Sequence, residues 1–236
     1  MELYFTPPNN ISKKSFVITG SEAYHILKVM RKDIGDEIFF TDGQGWQYHG
    51  RILEAKGSVF KGEILDSVFS PRELKTKLTL AFGILKGTRN DFIVEKCTEL
   101  GIYSFQPFFS KGSVVKKLNQ NKISRLSRIT LASMKQSLRT IQPEVLLPIS
   151  FAGLIDDMKN FDQTLIAYEG ATESLYLKTA KSLTILLIIG PEGGFAKEEI
   201  DQVLKRGGQA FSLGKTRLRS ETAAVVASSI IIDRLS

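Results

Sequence analysis

The chain has 236 residues, 42% hydrophobic and 24% charged, which suits one large domain or two unequal ones and excludes bulk disorder. A single cysteine, Cys97, excludes an internal disulfide framework, and two histidines, His25 and His49, without a Cys/His cluster give no reason to expect a metal. The net charge is +7, and its excess sits in residues 111–139, which hold eight basic and no acidic side chains. Such a patch suits a polyanion, nucleic acid above all; the bland alternative is a solvated helix face.

The first seventy residues read as short strands. Phe16–Ile18 precedes Thr19-Gly20, and Glu37–Thr41 and Trp46–Glu54 flank the turn Asp42-Gly43-Gln44-Gly45. Ser58–Val68 follows Lys56-Gly57. One helix is expected at Ala23–Arg31, with Ser21 as its N-cap. This is a small β-rich, barrel-like module. Ser70-Pro71 breaks the pattern, so the domain boundary is placed between residues 71 and 72.

Beyond Pro71 strands alternate with helices. Strands are expected at Leu78–Leu85, Ile102–Phe109, Leu165–Tyr168, Leu183–Ile189 and Ala210–Leu213. Helices are expected at Phe92–Leu100, closed by Gly101, then Lys122–Ile141, Lys197–Arg206 and Glu221–Leu235. This alternation predicts an α/β domain with a mainly parallel sheet, and the apolar run Leu183–Ile189 marks a central strand. That run is far shorter than the ~20 residues that span a bilayer. The start, MELYFTPP, has neither the basic residue nor the apolar stretch of a signal peptide, so a cytoplasmic protein with no membrane partner is expected.

Three segments carry candidate chemistry. On the helix from Lys122, the cations Arg125, Arg128, Lys135 and Arg139 fall within roughly an 80° arc, with Gln136 beside them, a face suited to phosphates. Ile189-Gly190-Pro191-Glu192-Gly193-Gly194-Phe195 leaves the apolar strand, where open α/β sheets bind ligands and glycine lets a ligand come close; a tight turn explains it equally well. Leu213-Gly214-Lys215-Thr216-Arg217-Leu218-Arg219-Ser220-Glu221-Thr222-Ala223 contains Gly-Lys-Thr but lacks the first glycine of a P-loop, since residue 209 is Gln209. Ser220 is a candidate N-cap there. The helix after it is apolar nearly all round, which fits a core or a subunit interface. No Ser-His-Asp constellation assembles, so a histidine-based hydrolase is not expected.

Gly190-Pro191-Glu192-Gly193-Gly194 with Leu213-Gly214-x-x-x-Leu218-Arg219-x-Glu221-Thr222-Ala223 resembles the two C-terminal motifs of the SPOUT methyltransferases. More closely it resembles the RsmE family, the 16S ribosomal RNA uridine-N3 methyltransferases. His25-Ile26-Leu27-Lys28-Val29-Met30-Arg31, Leu85-Lys86-Gly87-Thr88-Arg89 leading to Glu95-Lys96-Cys97-Thr98-Glu99-Leu100-Gly101, and Gln136-Ser137-x-Arg139 with Pro143 are similar to further elements of that family. Met30, Leu138, Thr216 and Arg217 depart from its pattern, and the change at Arg217 leaves that residue without an assigned role.

The resemblance implies a PUA-like RNA-binding domain over residues 1–71 and a SPOUT methyltransferase domain with a trefoil knot over 72–236. It also implies S-adenosylmethionine as methyl donor, 16S rRNA within a small-subunit particle as partner, and a homodimer. The donor would be held by Leu165, Glu169, Ile189, Gly190, Pro191, Glu192, Gly193, Gly194, Leu213, Gly214, Leu218, Arg219, Thr222 and Ala223. From the chemistry of the step, Arg219 and Glu221 are the catalytic candidates: Arg219 for charge on the uracil oxygens, and Glu221 or else Glu192 for the N3 proton, with helix capping or loop bracing the alternative role for each glutamate. RNA would be met by His25, Lys28, Arg31, Lys86, Arg89, Lys116, Lys117, Arg125, Arg128, Gln136 and Arg139. Two other readings remain open: methylation of a ribose 2′-hydroxyl, and an RNA-binding assembly factor without catalysis.

Overall fold

The computed structural model describes all residues except Met1, Lys116, Leu118, 179–182 and Ser236. It divides into two compact units: Met1–Glu73 with Leu131–Gln142, and Leu74–Thr130 with Pro143–Ser236. The first unit thus takes in a segment that returns late in the chain.

Five strands build the first unit: β1 (Leu3–Phe5), β2 (Ser15–Thr19), β3 (Glu37–Thr41), β4 (Trp46–Lys56) and β5 (Val59–Phe69), in the order β1-β3-β4-β5-β2. All pairs are antiparallel except β1 with β3. The Thr6 hydroxyl donates to the carbonyl of Val17, linking the two edges and giving the sheet its barrel-like character. Inward-facing Phe16, Ile18, Ile38, Phe40, Ile52 and Phe60 fill it. The first helix, α1 (Gly20–Tyr24), starts earlier than expected, so Ser21 lies inside it and Thr19 occupies the cap without a side-chain bond. The chain then widens into a π-helical turn, His25–Val29, and Arg31 adopts a left-handed conformation with φ 55°.

In the second unit β6 (Lys77–Gly83), β7 (Ser104–Phe109), β8 (Glu144–Val145), β9 (Ile149–Ser150), β10 (Gln163–Ala167), β11 (Thr184–Ile189) and β12 (Gln209–Phe211) form one sheet. The order is β12-β10-β11-β6-β7-β8, with β9 also on β7, and every pair is parallel. The apolar run therefore is the central strand β11, buried on both faces as its composition predicts. Alternation along the strands sends Leu78, Leu80, Ile185 and Leu187 to one face and Ala81, Leu186 and Ile188 to the other. The first face is covered by α2 (Arg89–Leu100), the early turns of α3 (Gln120–Gln136) and α6 (Ser220–Leu235). The second is covered by α4 (Phe151–Asp157) and α5 (Lys197–Lys205). Gly101 closes α2 with φ 117°, as the sequence leads one to expect.

Helix α3 ends at Gln136, five residues short of the expected Ile141. The stop is a Schellman cap: Arg139 N–H donates to the Met134 carbonyl and Leu138 N–H to the Lys135 carbonyl. Leu138 takes the left-handed position, φ 60°, where glycine is usual, which is why the sequence hides this end. No helix among the described residues is long and apolar enough to cross a membrane.

Candidate active site

Because β6, β10, β11 and β12 run parallel, their carboxyl ends meet on one side, and the loops leaving them wall a cavity of about 650 Å³. That size lies within the roughly 300–1,000 Å³ of small-molecule sites. The loop after β11 contributes Ile189 to Phe195, the loop after β12 contributes Ser212 to Glu221 apart from Lys215, and Ala223 adds the first turn of α6. Ala167, Tyr168 and Glu169 come from the end of β10, and Arg89 from the start of α2.

Most of the expected donor-site residues meet here: Glu169, Ile189 through Gly194, Leu213, Gly214, Leu218, Arg219 and Ala223. Two do not. Leu165 is fully buried in the core of β10, two residues before the strand end that reaches the cavity. Thr222 points to solvent, because consecutive helix positions turn by about 100° and its neighbours Glu221 and Ala223 face the cavity. Phe195 and Thr216, from the two marked loops, also line it, as do Tyr168 and Ser212, which no spacing in the sequence marks. Ser220 is the first residue of α6, not its cap; the Arg219 carbonyl accepts from Ala223 N–H.

The glycine loop is shaped by protein as well as by any ligand. A Cβ on Gly193 would lie 2.7 Å from the Gly112 carbonyl oxygen, and one on Gly83 would lie 2.5 Å from Pro191. Glycine at 193 thus serves the packing of one loop on another. Buried Glu199 braces the same region from α5: its carboxylate accepts from Lys111 N–H at 3.0 Å and from Ala196 N–H at 2.9 Å.

Charge at the cavity is balanced unevenly. Glu192 Oε1 accepts from Lys86 N–H at 2.9 Å and from Arg89 Nη1 at 3.2 Å. Glu192 Oε2 and Glu221 Oε2 are both shielded from solvent without a hydrogen-bond partner among the described residues. Arg217 and Glu169 approach to 3.6 Å, both largely exposed. Arg219 is exposed, and its guanidinium has no ion-pair partner among the described residues.

The expected RNA-facing residues divide. His25, Lys28 and Arg31 are exposed on and just after the π-helical turn, and Lys86, Lys117, Arg128 and Gln136 are exposed elsewhere. Lys116 lies outside the described residues. Arg89 turns inward to the cavity and Glu192. Arg125 is exposed but bound through Nε and Nη2 to Asp91, at 3.1 and 2.8 Å. Lys135, counted in the same basic face, is paired with Glu22 at 2.7 Å. Arg139 does not fit its expected phosphate role: its side chain is 5% exposed and pairs with Glu73 at 2.7 Å, so it is not presented on the surface. Glu73 also accepts from the backbone of Thr140 and Ile141, so this is a structural knot of bonds after the helix end.

Residues 72–232 match the RNA methyltransferase domain family, and residues 18–64 match the RNA methyltransferase PUA domain. The ribosomal RNA small subunit methyltransferase E of Mesomycoplasma hyopneumoniae is 36% identical over 220 residues, 92% of this chain and 93% of its own. The chain belongs to the ribosomal RNA small subunit methyltransferase E family. A Bacillus subtilis member is 32% identical over 228 residues, 92% of this chain and 89% of its own. The member from Neisseria gonorrhoeae, whose crystal structure is bound to S-adenosyl methionine, superposes with a TM-score of 0.88 at 28% identity, covering 99% of this chain and 98% of the other. The two family domains occupy the parts of the chain that form the β-rich sheet and the parallel sheet.

Proposed function

We propose that this family member uses S-adenosylmethionine to methylate N3 of a uridine in small-subunit ribosomal RNA. The observation that carries the reading is a cavity at the strand ends that gathers both motif loops with Arg219 and Glu221. The residues fit the donor: the cavity has the required size, and the carboxylate oxygen of Glu192 that has no partner suits a ligand that is cationic and bears N–H donors.

When bound, the donor supplies a methyl group on positively charged sulfur that already carries its leaving group. The loops after β11 and β12 hold and orient it against the base, and alignment of this kind is worth up to ~7–11 kcal/mol. The N3–H bond must break as the N3–methyl bond forms. Glu221, in the first turn of α6, takes that proton on its unpartnered oxygen. Arg219 then stabilises the charge that develops on the uracil oxygens. N3 lies on the pairing edge, so the base reacts unpaired. The exposed cations Lys28, Arg31, Lys86, Lys117 and Arg128 hold RNA through phosphates.

We also propose a homodimer through α6. Ala223, Val225, Ile232 and Leu235 pack on the core, whereas Val226 and Ile230 lie on other sides of the helix, partly exposed. Light scattering showing a monomer at micromolar concentration with donor present would remove the dimer. For the reaction, nucleosides from small-subunit RNA of a deletion strain are read by mass spectrometry. Loss of 3-methyluridine, restored by the gene, supports the proposal; loss of a 2′-O-methylated nucleoside, or no loss, refutes it.

A further inference from the structure

The segment Lys86–Arg89 contains two of the residues expected to meet RNA, yet its bonds run elsewhere. Asn90, 7% exposed, donates to the Leu85 carbonyl and accepts from Leu85 N–H, which fixes the loop after β6. From that fixed loop, Lys86 N–H and the Arg89 guanidinium both reach Glu192 Oε1. Pro191 packs directly on Gly83, so the loops leaving neighbouring strands β6 and β11 are joined at two points. One oxygen of Glu192 is held twice and the other has no partner. A carboxylate turns freely about its last bond unless something holds it. The bonds from Lys86 N–H and Arg89 together therefore decide where the unpartnered oxygen lies, and Arg89 is the side-chain half of that clamp.

We infer that Arg89 is a positioning residue of the donor cavity that acts through Glu192, and not a phosphate contact on the RNA surface. The inference rests on the donor reading above. An arginine engaged with a carboxylate at a cavity wall has spent its charge there. Beside the carboxylate of Glu192, Arg89 gains less from a phosphate than an unpaired cation would, because part of its charge is already neutralised.

The test compares the full-length wild type with Arg89→Ala, Arg89→Lys, Glu192→Gln and the double variant Arg89→Ala/Glu192→Gln. S-adenosylmethionine binding is read by calorimetry and RNA binding over a salt series. Loss of a charged hydrogen bond predicts roughly tenfold weaker donor binding for Arg89→Ala. Glu192→Gln should weaken it similarly, the double variant no more than the stronger single, and Arg89→Lys should recover most of the affinity. The RNA salt slope should stay unchanged throughout. Unchanged donor affinity, additive single effects, or a salt slope lowered by about one unit in Arg89→Ala overturns the inference. Glu192→Gln and Arg89→Lys keep a hydrogen-bonding group in place, so a folding failure of Arg89→Ala leaves the test standing. A wild type that does not bind the donor marks failure of the donor reading itself, and with it of this role for Arg89.

Discussion

Arg128 and Arg139 come from the same basic run and were alike on paper, yet the fold treats them in opposite ways. Arg128 is exposed on α3 and its guanidinium has no partner among the described residues. Arg139 is buried after the helix end with both Nε and Nη2 on Glu73. Burying a guanidinium is tolerable only with a carboxylate at hand. The acid that makes it so stands 66 residues away in sequence, outside any window over which a charge run is counted. Positive charge in a sequence becomes evidence for a polyanion only after each cation has been checked for an acid elsewhere in the fold.

That contrast can be broken by substitution. The largest effect on stability is expected from Arg139→Ala, which leaves the Glu73 carboxylate buried without a charged partner on it; urea unfolding should show a loss of about 3 kcal/mol or more. Lys135→Ala breaks a less buried pair and should cost about 1 kcal/mol in the same experiment. If the two cost the same, burial is not what separates them. Arg219→Ala tests a cation that the fold leaves unpaired at the cavity. Single-turnover methylation should slow by about 10²–10³ while RNA affinity holds, and an unchanged rate would take Arg219 off the catalytic list.

A finer comparison sets Arg128 against Arg125. Arg128→Ala should lower the log–log salt slope of RNA binding by about 0.7–0.9, whereas Arg125→Ala should lower it less, because Asp91 already neutralises Arg125. Equal slopes would show that the Asp91 pair opens on RNA. The smallest effect concerns Cys97. Burial pushes its thiol up to about 12, so it should resist thiol reagents at pH 8 until the protein unfolds.

Much of the α/β half was legible because its signals are local. The near-continuous apolar run Leu183–Ile189, broken only by Thr184, reads as a central strand, and a glycine-rich loop directly after such a strand sits where parallel sheets bind ligands. Tyr168 and Ser212 stayed hidden because lining a cavity asks for no special residue type. Asn90 and Glu199 stayed hidden for a different reason. Each is a buried polar side chain that satisfies backbone groups of a loop, and such a partner is visible only once the loop has a path. The end of α3 was misread because a leucine does the work of a glycine at position 138. Donor, substrate atom and dimer came from resemblance to a family, since nothing in strand periods or charge counts encodes a methyl group.

The return of Leu131–Gln142 to the first unit has a consequence for biosynthesis. Thr41 donates its hydroxyl to the Thr140 carbonyl, Gly45 N–H donates to the same carbonyl, and Glu73 waits for Arg139. A nascent chain that has emerged only to Pro71 holds every strand of the β-rich sheet and none of these closing bonds. The N-terminal unit therefore cannot finish folding in the order in which it is made. It stays open on the ribosome until more than half of the chain has been translated, and it closes while strands β6 and β7 of its neighbour are already outside the tunnel.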